Sequence, residues 1–249
     1  MNKISIVIPC YFNELNLPET YQVILNDVFS KCPDCEFEIV CVDDGSKDNT
    51  LNELKKIQNI DSRIKIVKLA RNFGEFRAIV AGMQYATGDA IVVMSADLQD
   101  PPNLIPEMIQ SWRSGNKVAL AVRSKREEPW IKNFFANTYY KFVRLLVEPN
   151  YPTQGFDFFL IDKSVKNHLV SMQEKNSSIY VQLIWLGYEP KTIEYIRVNR
   201  QKGISMWSYK KRINLFIDTF IVFSHKPIRL ISAFGILVSW FYLCLYGIN

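Results

Sequence analysis

The feature that most constrains the fold is an alternation of strand-like and helix-like segments in the first part of the chain. Short runs rich in Val and Ile alternate with longer segments of helical period. The predicted strands are 3–9, 36–44, 64–70 and 89–95, and the predicted helices are 17–32, 49–58, 75–86 and 104–113. This repetition is typical of a parallel sheet covered by helices on both faces, so we predict an α/β domain. A chain of 249 residues is long enough for one large domain, or for one domain and an appendage.

A polar segment follows the fourth predicted strand. The apolar run at 90–94 ends in SADLQD, and two prolines come next. Asp97 and Gln99 therefore fall at the carboxyl end of a buried strand, where open α/β sheets bind their ligands. A carboxylate and an amide oxygen two residues apart suit a hard cation such as Mg²⁺ or Mn²⁺. The alternative is a capped turn in which Asp97 only accepts hydrogen bonds from backbone N–H groups.

The ends of the other predicted strands add aromatic and acidic side chains to the same edge. Tyr11 and Glu14 follow the first strand, and Asp43 ends the second. An aromatic face, acids and a cation site together suit the base, ribose and phosphates of a nucleotide diphosphate. Asp43, Asp44 and Ser46 equally suit a helix-capping turn, and this alternative stays open. The sequence has neither a G-x-G-x-x-G turn after strand one nor a G-x-x-x-x-G-K-[ST] loop.

The later segments are richer in aromatic and basic residues. A fifth strand is predicted at 117–122 and leads to Arg123 and Arg126. The segment 131–147 has a helical period with many Phe and Tyr residues, which suits a helix at a membrane interface or one packed on the domain core. The segment 208–224 carries a basic cluster followed by phenylalanines, so it indicates an interfacial helix more strongly.

The C-terminal segment is the most apolar part of the chain. No charged residue occurs from 230 to 248, and this length suffices for one bilayer crossing. Basic residues precede the segment, which by the positive-inside bias places the main domain in the cytoplasm, at the plasma membrane. We therefore predict a main cytoplasmic domain at 1–207, a juxtamembrane amphipathic helix at 208–227 and a transmembrane helix at 228–249. The net charge of +5 indicates an anionic lipid or lipid-linked partner, and no basic pattern of a nucleic-acid module is present.

Cysteine usage agrees with a reducing compartment. Cys10 and Cys41 fall in strand-like runs, and Cys244 falls in the C-terminal apolar run. Cys32 and Cys35 form a C-x-x-C motif without the second pair or nearby histidine that a zinc site needs. We interpret this motif as part of a surface loop, and redox chemistry there is poorly supported.

Four ordered motifs resemble those of glycosyltransferase family 2. They are VIPCYFNE (7–14), VDDGSKDNT (42–50), RNFGEFRAIVAGMQYATGD (71–89) and SADLQDPP (95–102). The likeness is strongest to the polyprenyl-phosphate branch, which contains dolichol-phosphate mannose synthase and bacterial undecaprenyl-phosphate glucosyltransferases. The resemblance implies a GT-A fold, a divalent cation, a nucleotide-diphosphate sugar donor and a polyprenyl phosphate acceptor in the membrane. UDP-glucose is the first expectation for the donor, before UDP-N-acetylhexosamine or GDP-mannose. Membrane relatives often associate, so the oligomeric state stays open and includes a homo-oligomer.

The resemblance also implies roles for individual residues. The nucleotide-sugar would be bound by Pro9, Tyr11, Glu14, Asp43, Ala96, Asp97, Arg200 and Ser205. The metal would be held by Asp97 and Gln99. Phosphate of the donor or acceptor would be bound by Arg123, Arg126 and Lys202. Asp157, in the segment GFDFFLID (155–162), would lie nearest the reacting centre.

Two positions depart from the family pattern. Ser95 stands where the family commonly has Asp, which removes a second carboxylate from the metal motif, and Met206 stands where many relatives have Lys. We expect a single displacement with inversion, in which Asp157 would orient the acceptor, stabilise positive charge on the sugar, or form only a salt bridge.

Three other functions are alternatives to this one. A processive polysaccharide synthase would need an acid pair and a Q-x-x-R-W motif, and a nucleotidyltransferase would need a Gly-rich phosphate loop after strand one. The sequence contains none of these motifs. A non-catalytic membrane protein that binds nucleotide-sugar is the third alternative, which Ser95 mildly favours and Asp97 and Gln99 disfavour.

Overall fold

A seven-stranded sheet forms the centre of the molecule. The structure, a computed structural model, describes residues 1–125, 130–146, 148–172, 178–196, 218 and 226–246. The strands are β1 (Asn2–Cys10), β2 (Cys35–Asp43), β3 (Ile64–Lys68), β4 (Ala90–Val93), β5 (Val118–Lys125), β6 (Phe158–Asp162) and β7 (Lys191–Ile196). The helices are α1 (Leu17–Ile24), α2 (Thr50–Ile60), α3 (Glu75–Tyr85), α4 (Ile105–Arg113), α5 (Trp130–Leu146), α6 (Lys163–Ser171), α7 (Ile179–Trp185) and α8 (Lys226–Tyr246). A π-helical turn at Leu25–Phe29 continues α1, and a 3₁₀ turn at Pro102–Leu104 precedes α4.

The strand order is β3-β2-β1-β4-β6-β5-β7, and only the pairs that include β6 are antiparallel. The predicted α/β fold with a mostly parallel sheet is therefore confirmed. The strand character of β6 and β7 was not predicted. Because β6 runs opposite to its neighbours, its first residues lie beside the last residue of β4 and the middle of β5, with Val93 opposite Phe159 and Ala121 opposite Phe158. This reversal brings the segment before β6 to the carboxyl edge of the sheet.

Two apolar clusters cover the two faces of the sheet. One packs α1, α2 and α4 against the strands through residues such as Leu54 and Ile105, and the other packs α3, α5, α6 and α7 through residues such as Ile79 and Val165. Successive residues of a strand point to opposite faces, so both faces of β1 and β4 are apolar. This explains why these strands appear in the sequence as continuous runs of Val and Ile.

A buried acid ties the strands together on the α3 side of the sheet. Glu38 in β2 accepts hydrogen bonds from Ser5 Oγ at 2.5 Å, from Thr87 N at 2.6 Å and from Thr87 Oγ1 at 2.9 Å. Lys65 Nζ lies 2.7 Å from its carboxylate. Burial alone would raise the pKa of Glu38, but these partners outweigh it and lower the pKa to about 2. The glutamate is therefore a charged, saturated link between β1, β2, β3 and the turn before β4.

The interpretation of the C-x-x-C motif as part of a surface loop is correct for the turn at Pro33 and Asp34, which are exposed, but the two thiols are not at the surface. Cys32 and Cys35 are both buried in the apolar cluster below α1 and α4, although they stand at a turn that leads into β2. Both thiols are free, and burial raises their pKa. Arg113 Nη2 lies 3.0 Å from Cys35 Sγ. The polypeptide turns at the surface here, while both thiols point inward.

Helix α5 has one face on the core and one toward solvent. Val143 is buried, Tyr139 and Tyr140 pack against the second apolar cluster, and Phe142 and Leu145 are exposed. The core-packed alternative for this segment is therefore correct for the face that carries Val143.

The C-terminal helix α8 exposes large apolar side chains from Ile231 to Leu245. The predicted transmembrane helix at 228–249 is not confirmed, because no helix in the described ranges combines the length and the apolar character needed to cross a membrane. The juxtamembrane helix predicted at 208–227 lies almost entirely outside the described residues.

Candidate active site

The carboxyl ends of the strands bring together most of the residues singled out in the sequence. Asp43 ends β2, Asp97 and Gln99 follow β4, Arg123 lies near the end of β5, and Asp157 directly precedes β6. All five lie at one edge of the sheet, because the parallel strands end there and the antiparallel β6 begins there. Four other predicted site residues lie outside the described ranges: Arg126, Arg200, Lys202 and Ser205.

Asp43 is a fully buried acid of this edge. Its Oδ1 accepts a hydrogen bond from Ser46 N at 3.0 Å, whereas its Oδ2 is buried without a hydrogen-bond partner in the part of the chain that the structure describes. A buried carboxylate oxygen without a donor is costly, so such a group needs an explanation. The neighbouring Cys10 supplies no charge, because the Cys41 thiol and burial raise its pKa well above the ordinary value. The arrangement suits an N–H donor from a ligand.

The loop after β1 is held rigidly against the loop after β2. Tyr11 N donates to Asn13 Oδ1 at 2.7 Å, and Phe12, which has a φ of +56°, donates its N–H to Ser46 Oγ at 3.2 Å. Glu14 Oε2 accepts from Asn49 N at 2.8 Å, immediately before α2. Glu14 therefore has a structural partner at the N-terminus of a helix, which the sequence did not indicate. Tyr11 is half-buried beside this loop, and Pro9 is half-buried in β1.

Asp44 binds the loop after β3, which is a different role from the helix-capping turn considered in the sequence analysis. Its carboxylate accepts hydrogen bonds from Phe73 N at 2.7 Å, Asn72 Nδ2 at 2.8 Å and Gly74 N at 2.9 Å. The next residue, Gly45, has a φ of +70°, and a Cβ there would lie 2.5 Å from the carbonyl carbon of Arg71. The glycine thus lets the loops after β2 and β3 touch, and Asp44 fastens them together.

The segment after β4 offers oxygen ligands for a hard cation. Asp97 and Gln99 are half-buried, Asp97 Oδ1 accepts from Gln99 N at 3.3 Å, and Leu98 between them has a φ of +57°. Ala96 is buried, and its carbonyl accepts from Thr20 Oγ1 at 2.9 Å. No group of three His, Cys, Asp or Glu side chains that could hold a metal occurs among the described residues. One carboxylate and one amide fit Mg²⁺ or Mn²⁺ only if phosphate oxygens and water complete the shell, which is usual for Mg²⁺.

Ser95 contacts an acid that the sequence analysis did not single out. The carboxylate of Asp100 is fully buried and accepts hydrogen bonds from Ser95 Oγ at 2.8 Å and from the Tyr195 hydroxyl at 2.7 Å. Burial and then the Asp100 carboxylate raise the pKa of Tyr195, so its hydroxyl stays protonated and donates. Asp100 belongs to the SADLQD segment and could have been noticed there, but nothing in the sequence pairs it with Tyr195.

Arg123 and Asp157 form an ion pair at the far end of the same edge. The arginine side chain is 8% exposed and the aspartate side chain 31%. Burial alone would lower the pKa of Arg123, but the Asp157 carboxylate outweighs it and the pKa is raised. Within the described residues, the buried Nε of Arg123 has no hydrogen-bond partner. A fixed cation with a spare N–H therefore stands beside a partly exposed carboxylate.

Two tyrosines pack against the segment before β6. Gly155 has a φ of +67°, and a Cβ there would collide with the ring of Tyr140 from α5. Tyr180 of α7 is buried, and its hydroxyl donates to Glu75 Oε1 at 3.1 Å. The segment before β6 is thus packed against α5 by an aromatic ring.

The sheet and its polar edge define a GT-A-like α/β domain, and a solved structure supports this class. The chain superposes on a mannosyltransferase from Pyrobaculum calidifontis, solved in complex with GDP-Man and Mn²⁺, with a TM-score of 0.57 and 15% identity. The match covers 78% of this chain and 55% of that chain, so this chain spans little more than half of the neighbour's length. At this identity the likeness concerns the fold alone.

The sequence relatives then give the family. Residues 5–170 match the model of Glycosyl transferase family 2. The chain is 41% identical over 236 residues to the uncharacterized glycosyltransferase YkcC of Bacillus subtilis, covering 94% of this chain and 72% of that protein. It is 32% identical over 238 residues to the bactoprenol glucosyl transferase of Shigella phage SfV, covering 95% of this chain and 77% of that protein. The chain belongs to glycosyltransferase family 2, which confirms the predicted class of enzyme.

Proposed function

We propose that this enzyme transfers one sugar, with inversion, from a nucleotide-diphosphate sugar to a polyprenyl phosphate at the cytoplasmic face of the plasma membrane. UDP-glucose is the proposed donor, because the bactoprenol glucosyl transferase of Shigella phage SfV is among the relatives. The observation that carries the proposal is the division of the sheet edge into two parts. Asp43, Asp97 and Gln99 occupy one part, and the Arg123–Asp157 ion pair occupies the other.

The first part suits the nucleoside diphosphate. The buried Oδ2 of Asp43 would accept a hydrogen bond from an N–H of the base, and the ring of Tyr11 would stack on the base. Both uracil and guanine carry such an N–H group, so this contact supports UDP and GDP alike. Pro9, Glu14 and Ala96 would contribute backbone and packing around the nucleoside.

Asp97 and Gln99 would hold a divalent cation next to the diphosphate. When bound, such a cation stabilises negative charge on the departing diphosphate. Asp97 supplies the only carboxylate that we propose for this site, because Ser95 donates its hydroxyl to Asp100. Arg200, Lys202 and Ser205, which lie outside the described residues, are proposed to contact the phosphates.

The second part suits the phosphate of the acceptor. Arg123 is a buried cation with a spare N–H, and arginine is well suited to bind phosphate oxygens. We propose that a phosphate oxygen of the lipid attacks the anomeric carbon of the sugar. The bond from this carbon to the diphosphate oxygen breaks, and its electron pair leaves with the nucleoside diphosphate. The lipid phosphate is already ionised near neutral pH, so a general base is not needed, and Asp157 would stabilise positive charge on the sugar.

The exposed apolar surface suits contact with lipid. Large apolar side chains are exposed along α8, and Phe142 and Leu145 are exposed on α5, which packs next to the segment before β6. Contact of these surfaces with the bilayer would let the acceptor keep its apolar tail in lipid while its phosphate reaches Arg123.

A donor assay with lipid extraction tests the proposed function. Purified full-length protein is incubated with Mn²⁺, radiolabelled UDP-glucose and undecaprenyl phosphate in detergent, and label is counted in the organic phase. Parallel reactions replace the donor by GDP-mannose or UDP-N-acetylglucosamine. We expect label from UDP-glucose to move into the organic phase as one glucose per lipid.

Two variants control this assay. Asp97→Asn should abolish the transfer, whereas Asp27→Asn, which removes an exposed acid of the turn after α1, should leave it unchanged. Release of free glucose into water without labelled lipid would indicate a different acceptor. Failure of all three donors to label the lipid would contradict the proposal.

A further inference from the structure

A series of polar contacts runs from the segment after β4, which carries Asp97 and Gln99, to the far end of the sheet. It starts at Ser95, passes through the carboxylate of Asp100 and reaches the hydroxyl of Tyr195. Tyr195 lies directly opposite Arg123 in the parallel pair of β5 and β7, and Arg123 is paired with Asp157. These contacts thus connect the loop after β4 with the ion pair beside β6.

The positions of these residues assign them to the acceptor half of the edge. From Asp43 on β2 to Arg123 on β5 the strand order counts four steps, which at about 4.8 Å per step is roughly 19 Å. Asp97 lies between them, after β4. A donor whose base contacts Asp43 and whose diphosphate lies near Asp97 would present its sugar toward Asp157. Arg123 and Tyr195 then lie beyond the sugar.

The burial of both partners makes the orientation of Arg123 sensitive to its neighbours. Arg123 and Tyr195 are both buried and lie directly opposite each other on neighbouring strands, and each side chain contributes to the pKa shift of the other. A buried guanidinium is stable only when its position and its partners are well defined. The Tyr195 ring is itself held, because its hydroxyl is bonded to the buried carboxylate of Asp100 at 2.7 Å.

We propose that Tyr195 is a positioning residue for the acceptor: anchored by Asp100, it fixes the Arg123 guanidinium so that the remaining N–H groups, Nε among them, face the phosphate of the polyprenyl phosphate. This inference rests on the proposed function, and Tyr195 acts through Arg123 without touching the substrate. If Tyr195 only filled the core, phenylalanine at this position would work equally well.

Tyr195→Phe is the decisive variant, since it keeps the ring and deletes only the hydroxyl. With farnesyl phosphate as a short-chain acceptor, we expect KM for the acceptor to rise about tenfold, which corresponds to about 1.4 kcal/mol. KM for UDP-glucose should change less than about twofold. A KM does not depend on the fraction of enzyme that is folded, so a loss of stability lowers kcat and leaves this contrast intact.

Two further variants separate positioning from structure. Tyr21→Phe removes another tyrosine hydroxyl that donates to a buried aspartate, Asp61 instead of Asp100, and should leave KM for the acceptor within about twofold. In an Arg123→Lys background, Tyr195→Phe should have no further effect on KM for the acceptor, because the guanidinium that it orients is gone.

The outcomes distinguish this inference from the proposed function. If the wild-type enzyme transfers no sugar to the prenyl phosphate, the proposed function and this inference both fail. If the wild-type enzyme is active, the inference alone is overturned by equal changes in the two KM values, or by the same increase in the Arg123→Lys background as in the wild type.

Discussion

The buried glutamate of β2 makes the stability of this protein depend on acid pH. The pKa of Glu38 is lowered from 4.5 to about 2. One unit of difference between the folded and unfolded pKa is worth about 1.4 kcal/mol, so the charged form of Glu38 contributes about 3 kcal/mol to the free energy of unfolding. The side chain is only 5% exposed, so solvent screens this contribution little.

The sign of the effect follows from the lowered pKa. Above pH 4.5 the glutamate is charged in both the folded and the unfolded chain, and its contribution is fully present. As the pH falls from about 4.5 to about 2 the unfolded chain takes up a proton first, and the contribution is lost. Glu38→Gln should therefore lower the free energy of unfolding at pH 7 by about 3 kcal/mol and flatten the pH dependence below pH 4.5.

Urea unfolding followed by circular dichroism at pH 7 and pH 3 measures both quantities. Glu36→Gln is the matched control, because Glu36 lies two residues away with its side chain 60% exposed in a surface pair with Lys3. We expect this control to change the free energy of unfolding by less than about 1 kcal/mol. A Glu38→Gln protein as stable as the control at pH 7, or one that keeps the wild-type slope between the two pH values, would refute the reasoning.

Three further predictions concern the site and its surroundings. Gly45→Ala should weaken UDP binding in the presence of Mn²⁺ about tenfold, since its Cβ would push the loop at Arg71 away. Isothermal calorimetry measures the affinity. The control is Gly115→Ala, at a positive φ with open space around it, which should not weaken UDP binding. Asp157→Asn should lower kcat about 100-fold with donor saturating while the UDP-induced shift in Tm is kept; near wild-type turnover would remove Asp157 from the catalytic residues. Deletion of 228–249 should reduce turnover of undecaprenyl phosphate more than hydrolysis of UDP-glucose, and equal losses would contradict the proposed role of α8.

The donor half of the site could be predicted from the sequence because its determinants are local. A buried strand, a polar turn and a following helix recur at each of the first strands, so the positions of Asp43 and Asp97 at one edge follow from the chain order alone. The hydrogen-bond partners of the acidic side chains could not be predicted from the sequence in the same way. Glu14 bonds the start of α2, and Asp44 bonds the loop after β3, because each loop packs against a neighbour that the sequence does not identify.

The acceptor half depends on contacts between distant parts of the chain. Tyr195 bonds Asp100 across 95 residues, and Arg123 meets Asp157 only because β6 inserts in reverse between β4 and β5. A short apolar run such as β6 carries no signal for its direction or its neighbours. The resemblance to the family indicated Asp157 and Arg123 individually, whereas their pairing is visible only in the structure.

The reversed strand β6 also divides the enzyme along its sequence. Among the described residues, those proposed for the nucleotide all lie before β5, and the Arg123–Asp157 pair with its tyrosine support lies from β5 to β7. The two halves of the sheet join through the single four-pair ladder between β4 and β6. Chimeras that exchange residues 118–196 between related enzymes should therefore trade lipid preference and leave donor preference in place, with Asp100 as the residue to match across the junction.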